Sequence, residues 1–305
     1  LNQLIDGQLP QGIFELAQLD QLNLARLRLK EIPLGLERIR GLRSLQLAGN
    51  RLSTLPAYFA ELKNLEVLDL SENSFKSVPE VLQTLPKLRL LNLSKNSLQK
   101  LPQFLARFPA LRKLELDQCN FDRFPNVLWD MPFLDDLDLS FDENRIPTSD
   151  FAEGIGKLTR LKHLQLWKYP FETFPEAMLL PTLESLELDF SDKIRAIPPW
   201  FGKFSKLKVL SFKFCGALRQ LPAEIGELKN LEFLDLSYTA IAVPPDTVSK
   251  LSSLQRIALP SVNFQDEAAT LEILMALPSL QKVFCSLYPN YAFLDMIRVR
   301  MPNVQ

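Results

Sequence analysis

The sequence predicts an α/β solenoid, with a parallel β-sheet on its concave side and short 3-10, helical or extended segments on its convex side. Three observations predict it. Leucine fills 62 of the 305 positions, about a fifth of the chain. The leucines recur in twelve repeats whose starts lie 22 to 27 residues apart. Proline is plentiful at 22 residues, and it often follows a leucine at one place in the repeat, where it turns the chain out of the sheet.

Each repeat begins with a short strand. In the repeat that starts at Leu42, the pattern runs L-x-x-L-x-L-x-x-N-x-L-x-x-L-P-x-x-F-x-x-L and ends at Leu62. Because side chains alternate along a strand, Leu45 and Leu47 point to one face and the residues between them to the other. Stacked repeats then bury their leucines in one continuous core, which no single repeat could form alone. The starts are Leu19, Leu42, Leu65, Leu88, Leu111, Leu134, Leu161, Leu183, Leu207, Leu231, Leu254 and Leu280.

Twelve repeats in register resemble the leucine-rich-repeat family, and the resemblance runs from end to end of the chain. It implies a leucine-rich-repeat horseshoe. It also implies that Asn50, Asn73 and Asn96 form a structural ladder, whose amides bind backbone groups of the turns. The 24-residue repeats from Leu183 and Leu207, continuing to Ile241, resemble plant-type intracellular immune receptors and bacterial repeat proteins, including translocated effectors.

We expect a single leucine-rich-repeat domain over residues 1–305. Residues 1–18 form a partial repeat, and residues 286–305 are expected to cap the core. Two longer repeats should each carry a helix, one following Thr148-Ser149-Asp150 and one over residues 267–277. The chain has no initiating Met and starts within a repeat. We therefore expect a fragment of a longer protein, monomeric as it stands and with an open N-terminal edge.

Composition and motifs exclude several classes of function. The net charge is −1, with 35 Lys and Arg against 36 Asp and Glu, so there is no basic field for nucleic acid. No apolar run reaches about 18 residues, so no membrane insertion is expected. The single histidine, His163, has no metal-ligand spacing and no nucleophile tied to it, and no phosphate loop is present. We expect no enzymatic activity, no metal and no cofactor.

Cys119 and Cys215 occupy the Asn position of their repeats and Cys285 a core position of its strand, and all three are expected to be buried and reduced. Reduced thiols favour the cytosol. The localisation nevertheless stays open, because a secreted or translocated bacterial protein also fits the sequence.

Aromatic residues are concentrated on the predicted concave face. At or just after the strand, the five repeats from Leu134 to Leu231 carry one aromatic residue each, whereas the first five carry none. Two interpretations are open: the rings stack on one another and replace the Asn ladder lost in the same repeats, or they form a recognition strip beside charged residues. The candidate partner-binding residues are Trp167, Phe141, Phe190, Phe214, Tyr238, His163, Glu115, Asp117, Asp138, Glu187, Asp189, Lys213 and Asp235.

The leading hypothesis for function is a non-catalytic recognition domain that binds a protein or peptide on this face, within a longer protein of sensing, immunity or signalling. Trp167 is the residue most indicative of it, because Trp is enriched among interface hot spots. A carbohydrate ligand is the first alternative, since aromatic rings beside carboxylates also suit a glycan. The second alternative is the substrate-recognition arm of an enzyme or effector whose catalytic domain lies outside this sequence.

Overall fold

The computed structural model describes residues 12, 13, 16, 18–140, 148–170, 172–260, 267–285 and 291–305. The chain divides into two compact units, residues 1–150 and 151–305. In both units each described repeat contributes one short strand that pairs in parallel with the strand of the adjacent repeat. The fold class is therefore the predicted α/β solenoid. The organisation as one domain stays a prediction.

The first unit carries six strands. They are β1 (Gln21–Asn23), β2 (Ser44–Gln46), β3 (Val67–Asp69), β4 (Leu90–Asn92), β5 (Lys113–Leu116) and β6 (Asp136–Ser140). Each pairs with the next in chain order, so that Leu45 lies beside Leu68 and Leu68 beside Leu91. The chain returns between strands through 3-10 helices at Leu36–Arg38, Ala57–Glu61, Glu80–Thr84, Gln103–Arg107 and Asn126–Asp130.

The second unit repeats this arrangement. Its strands are β7 (His163–Trp167), β8 (Ser185–Glu187), β9 (Val209–Ser211), β10 (Phe233–Asp235), β11 (Arg256–Ala258) and β12 (Lys282–Phe284). They too are parallel and in chain order. The 3-10 helices lie at Ile155–Lys157, Glu176–Met178, Pro199–Lys203, Ala223–Glu227 and Asp246–Lys250.

Among the described residues, three α-helices interrupt this regular pattern. Helix α1 spans Thr148–Gly154 and α2 spans Glu267–Met275, as predicted for the two longer repeats. Helix α3 spans Tyr291–Arg300, packs against α2, and buries Phe293 and Ile297. Five residues beyond α3, the backbone N–H of Gln305 donates to Gln281 O, and the backbone carbonyl of Gln305 accepts a hydrogen bond from Val283 N–H. The last residue of the chain therefore pairs with the backbone at β12.

The core is built from the alternating strand residues that the sequence pattern selects. Leu45 and Leu47 are fully buried, while Ser44 and Gln46 on either side of Leu45 are partly exposed. A proline precedes most 3-10 helices, as Pro102 does at Gln103–Arg107. Its fixed φ and missing N–H suit the first turn of a helix, so the leucine before it marks the point where the chain leaves the inner layer.

The predicted Asn ladder is present in the first unit. The amide nitrogen of Asn96 donates to Leu70 O and Leu93 O, both at 2.9 Å, and its oxygen accepts from Phe75 N–H at 3.0 Å. Asn50 makes the equivalent bonds to Leu24 O and Leu47 O. These bonds satisfy backbone groups that neither the strands nor the 3-10 helices can pair.

In three repeats of the second unit, smaller side chains replace Asn. Cys215 Sγ donates to Leu188 O at 3.1 Å, Ser191 Oγ accepts from Tyr169 N–H at 2.9 Å, and Thr239 Oγ1 donates to Leu236 O at 2.8 Å. Cys119 does the same in the first unit, donating to Leu93 O at 3.5 Å. Each of these side chains makes fewer hydrogen bonds to the backbone than one Asn amide makes, so the ladder is present here with fewer bonds.

The prediction that all three cysteines are buried is wrong for one of them. Cys119 and Cys215 are buried, but Cys285 is only half-buried. The reason is its place at the end of β12, since no further repeat covers it in the described chain. Burial raises the pKa of both the Cys119 and Cys215 thiols to about 12, which keeps them protonated.

Candidate functional site

Four of the predicted aromatic residues form a row of rings in the second unit, which we name the aromatic ladder. It consists of Trp167, Phe190, Phe214 and Tyr238. Ring centroids lie 5.6 Å apart from Trp167 to Phe190, 4.6 Å from Phe190 to Phe214, and 4.2 Å from Phe214 to Tyr238. The last two pairs are stacked within 17° of parallel. The fifth predicted member, Phe141, lies outside the described residues.

The repeat backbone places these rings. Phe190, Phe214 and Tyr238 all have positive φ, between 58° and 60°, and the polar residues at the same repeat position in the first unit, such as Lys95 at 55°, do too. A left-handed conformation costs a non-glycine residue roughly 1–2 kcal/mol. The backbone continues its pairing through this position, because Phe214 N–H donates to Ser237 O at 2.9 Å. The architecture therefore fixes the strained position, and the sequence of these repeats fills it with aromatic rings.

The aromatic ladder keeps one side in contact with solvent. Phe190 is 38% exposed, and the other three rings are partly exposed. Phe214 is stacked on both faces, so solvent reaches it through its edge alone. The indole Nε1 of Trp167 is buried without a hydrogen-bond partner in the described part of the chain. Leaving a buried donor unpaired costs about 1–3 kcal/mol, so the position of Trp167 is not explained by stability alone.

Two of the predicted acidic residues have structural roles beside the aromatic ladder. The carboxylate of buried Asp189 accepts hydrogen bonds from Ser211 Oγ at 2.5 Å and Lys213 N–H at 3.1 Å. Burial, together with the charges of Glu187 and Asp235, raises its pKa to about 6, although the hydrogen bonds from Ser211 and Lys213 act to lower it. Asp235 accepts from Ser237 N–H at 2.8 Å, two residues along the chain. The Asp189 carboxylate thus links its repeat to the next one, whereas the Asp235 carboxylate binds within its own repeat.

The remaining predicted residues of the second unit lie nearer to solvent. Glu187 is partly exposed at the end of β8, and His163 is exposed at the start of β7. The ammonium of Lys213 lies 5.6 Å from the centroid of the Phe214 ring. The aromatic ladder is thus bordered by partly exposed side chains of both charges, Lys213 and Glu187.

Three predicted acidic residues form a separate cluster in the first unit. Glu115 pairs with Lys113 at 3.0 Å, and Lys113 also binds Asp136 at 3.0 Å. Asp117 is buried, and its Oδ1 has no hydrogen-bond partner among the described residues. Burial, together with the nearby charges of Asp117 and Glu115, raises the pKa of Asp138 to about 7. Sequence reasoning joined this cluster to the aromatic residues, whereas the structure describes the two in different compact units.

Sequence reasoning missed a second aromatic group, which we name the Phe233–Phe284 patch. It consists of Phe233, Phe284, Arg256 and Lys282. The two rings lie 6.4 Å apart and edge to face, and the Arg256 guanidinium lies 4.8 Å from the Phe233 centroid. All four occupy outward strand positions, so reading the first outward column of the repeats as well as the later ones would have found them.

Within the described residues, no group of three or more His, Cys, Asp or Glu side chains has the arrangement of a metal site. The helices described are also too short or too polar to cross a membrane.

Comparison with known families decides the classification. The family profile described as leucine-rich repeat region matches residues 34–215, more than half of the chain. The chain belongs to the leucine-rich-repeat family. Members of this family generally serve as scaffolds for protein–protein recognition and are typically non-catalytic.

Two curated proteins share parts of this leucine-rich-repeat chain. A segment of 86 residues, 28% of the chain, is 43% identical to the adenylate cyclase of Schizosaccharomyces pombe, of which it covers 5%. A segment of 162 residues, 51% of the chain, is 28% identical to the disease resistance RPP13-like protein 4 of Arabidopsis thaliana, of which it covers 19%. The chain therefore spans a small part of both relatives.

Two solved structures are similar over most of the leucine-rich-repeat chain. A leucine-rich-repeat protein of Leptospira interrogans matches with a TM-score of 0.61 and 24% identity, covering 97% of this chain and 86% of that one. An internalin of Listeria monocytogenes matches with a TM-score of 0.61 and 20% identity, covering 91% and 83%. At this level of identity the likeness shows the fold alone.

Proposed function

We propose that this leucine-rich-repeat chain is a non-catalytic recognition module that binds a protein or peptide along the aromatic ladder. The observation that carries the proposal is the row of four aromatic rings from Trp167 to Tyr238, which keeps one side open to solvent. An exposed row of aromatic rings is typical of functional surfaces. The similarity to a disease resistance protein supports a role within a longer sensing, immunity or signalling protein.

The stacking geometry favours a peptide over a glycan. A sugar ring packs its C–H groups on an open aromatic face, but Phe214 has both faces covered by Phe190 and Tyr238. Ring edges carry partial positive charge and contact apolar side chains and carbonyl oxygens well, and peptides supply both. A glycan array on which the chain gives no signal, while peptides bind, is the expected outcome.

The test is selection from a display library of random twelve-residue peptides on the chain. Selected peptides should lose at least ten-fold in affinity for Trp167→Ala and Phe190→Ala variants, measured by fluorescence anisotropy. The matched control is Phe133→Ala, which removes a 53%-exposed aromatic ring from the first unit and should leave binding unchanged. Equal affinity for the variants and the parent chain would overturn the aromatic ladder as the binding site.

The likeness to an adenylate cyclase over 86 residues favours a second candidate, in which the chain is the recognition arm of a longer enzyme. In that case the repeats still bind without catalysing, and the reaction belongs to another domain. Sequencing the gene on both sides of this segment distinguishes the two, because an adjoining catalytic domain would support the second candidate.

A further inference from the structure

The Phe233–Phe284 patch is independent of the aromatic ladder and shares no residue with it. Strands β10, β11 and β12 pair in register, so Phe233, Arg256 and Lys282 lie side by side across three strands. In the next outward row, Asp235, Ala258 and Phe284 do the same. The patch therefore combines two aromatic rings with two cations on one solvent-facing surface of the sheet.

A small residue, Ala258, lies between the outward residues of the patch. Ala258 is 3% exposed and pairs with Phe284 on the next strand, and the ring of Phe284 lies edge to face with that of Phe233 at 6.4 Å. Phe284 remains 47% exposed, one of the largest exposures of an aromatic residue in the described chain. An exposed ring beside a small, buried residue can contact one apolar side chain of a partner.

The two cations of the patch have no carboxylate partner among the described residues. Arg256 interacts with the face of Phe233, and no described acidic side chain lies within ion-pair distance of Arg256 or Lys282. Elsewhere in this unit Lys208 pairs with Glu184 at 2.8 Å. The adjacent carboxylate, Asp235, is engaged by Ser237 N–H. Unpaired charge next to an exposed ring thus characterises this patch.

The contact between the Arg256 guanidinium and the Phe233 ring favours the binding of an anion by Arg256. Contact with the Phe233 face orients the guanidinium and leaves its N–H donors free, so less side-chain freedom is lost when a carboxylate binds in bidentate fashion. Lys282 lies on the next strand, roughly 5 Å away at the backbone, and adds a second donor group. The patch therefore suits a ligand in which a carboxylate lies next to an apolar side chain.

We infer that the Phe233–Phe284 patch binds an acidic peptide segment, with its carboxylates on Arg256 and Lys282 and an apolar side chain against Phe284. A peptide fits better than nucleic acid, because a phosphate backbone needs a broad basic field and this chain has a net charge of −1. The inference goes beyond the proposed function, since it assigns a second surface and the charge of its ligand.

The test uses three fluorescein-labelled peptides of twelve residues, each with two phenylalanines and with four Glu, four Gln or four Lys. Binding to the full chain is measured by fluorescence anisotropy at 0.15 M salt. The Glu peptide should bind at least ten-fold more tightly than the Gln peptide, and the Lys peptide most weakly. Equal binding of the Glu and Gln peptides would overturn the inference.

Variants then locate the site. Arg256→Ala, Lys282→Ala and Phe284→Ala should each weaken binding of the Glu peptide at least five-fold, and Arg256→Glu should reverse the preference in favour of the Lys peptide. Lys208→Ala is the matched control, because that cation already pairs with Glu184, and it should leave binding unchanged. Thermal unfolding followed by circular dichroism checks that each variant remains folded. A preference unchanged in Arg256→Glu would refute the assignment.

Two further measurements distinguish this patch from a nucleic-acid site and from the aromatic ladder. A twelve-nucleotide oligouridylate should bind at least ten-fold more weakly than the Glu peptide, and equal or tighter binding would overturn the peptide assignment. Trp167→Ala should leave the Glu peptide's affinity unchanged. Loss of binding in that variant would place the peptide on the aromatic ladder and refute the second site, whereas failure of the ladder experiment leaves this one intact.

Discussion

The ring of Phe214 lies face to face with the ring of Tyr238, with centroids 4.2 Å apart and planes 9° from parallel. Both residues have left-handed backbones, with φ of 60° and 59°. The stack joins two successive repeats at the point where each backbone is strained, and its attraction offsets part of that strain. The aromatic ladder therefore contributes to stability and also presents a surface.

We predict that Phe214→Ala lowers the free energy of unfolding by about 1–3 kcal/mol. The substitution removes two stacked pairs, each worth about 0.5–1.5 kcal/mol beyond buried area. Urea denaturation followed by circular dichroism measures the change. Phe214→Tyr, which keeps the ring, should lie within about 0.5 kcal/mol of the parent chain. A loss below that value in the alanine variant would show that the stack does not stabilise the repeats.

Asp138 makes stability depend on pH. Its pKa is raised from 3.8 to about 7 in the folded chain, so the folded state binds this proton more tightly than the unfolded state. The stabilisation is fully present below about pH 3.8 and is lost as the pH rises through about 7. The variant Asp138→Asn cannot titrate at this position, so it lacks this pH-dependent contribution to stability.

We therefore expect the stability of Asp138→Asn, relative to the parent chain, to increase by about 1–3 kcal/mol between pH 5 and pH 8, at about 1.4 kcal/mol per pKa unit. Urea titrations at several pH values measure the difference. A constant difference across this range would contradict the raised pKa.

Two glycines at one repeat position should differ in their tolerance of alanine. A Cβ on Gly226 would collide with the backbone carbonyl of Thr247, whereas a Cβ on Gly156 would lie 3.5 Å from Ala177 O, an ordinary contact. We predict that Gly226→Ala costs about 1–3 kcal/mol because backbone must shift. Gly156→Ala should be neutral or slightly stabilising. Thermal unfolding of both variants checks this, and equal melting temperatures would count against the close approach at Gly226.

The three thiols should differ in reactivity. Cys119 and Cys215 are buried with pKa values raised to about 12, while Cys285 is half-buried. Because the thiolate is the reactive form, we expect Ellman's reagent at pH 8 to label one thiol per native chain and three in urea. Mass spectrometry should assign the native label to Cys285. Rapid labelling of a second thiol would show that the core opens.

Regular features of the fold were predictable from the sequence, because they depend on spacing within one repeat. Leucines two residues apart predicted the buried strand positions, and the apolar spacing of residues 267–277 predicted α2, found at Glu267–Met275. The Asn ladder followed from the family resemblance, and Asn96 makes the expected bonds.

The character of the candidate site depended on contacts between repeats. Sequence reasoning left open whether the rings stack or stand exposed; the structure shows stacked rings that remain exposed on one side. The sequence analysis also placed Asp189 among the surface charges, whereas its carboxylate is buried and accepts hydrogen bonds from Ser211 and Lys213. The sequence analysis did not predict the contact between the rings of Phe233 and Phe284, which lie two strands apart.

The sequence by itself determined the number and spacing of repeats, the residues that form the core, and the columns that face solvent, since all three follow from a local period. Only the tertiary structure decided which outward side chains touch, which carboxylates are buried, and which cations stay unpaired. Those outcomes depend on the register between strands and on the size of neighbouring side chains, as the small Ala258 paired with the exposed Phe284 illustrates. The repeat pattern of the sequence does not show which side chains the register brings together, or how much space their neighbours leave.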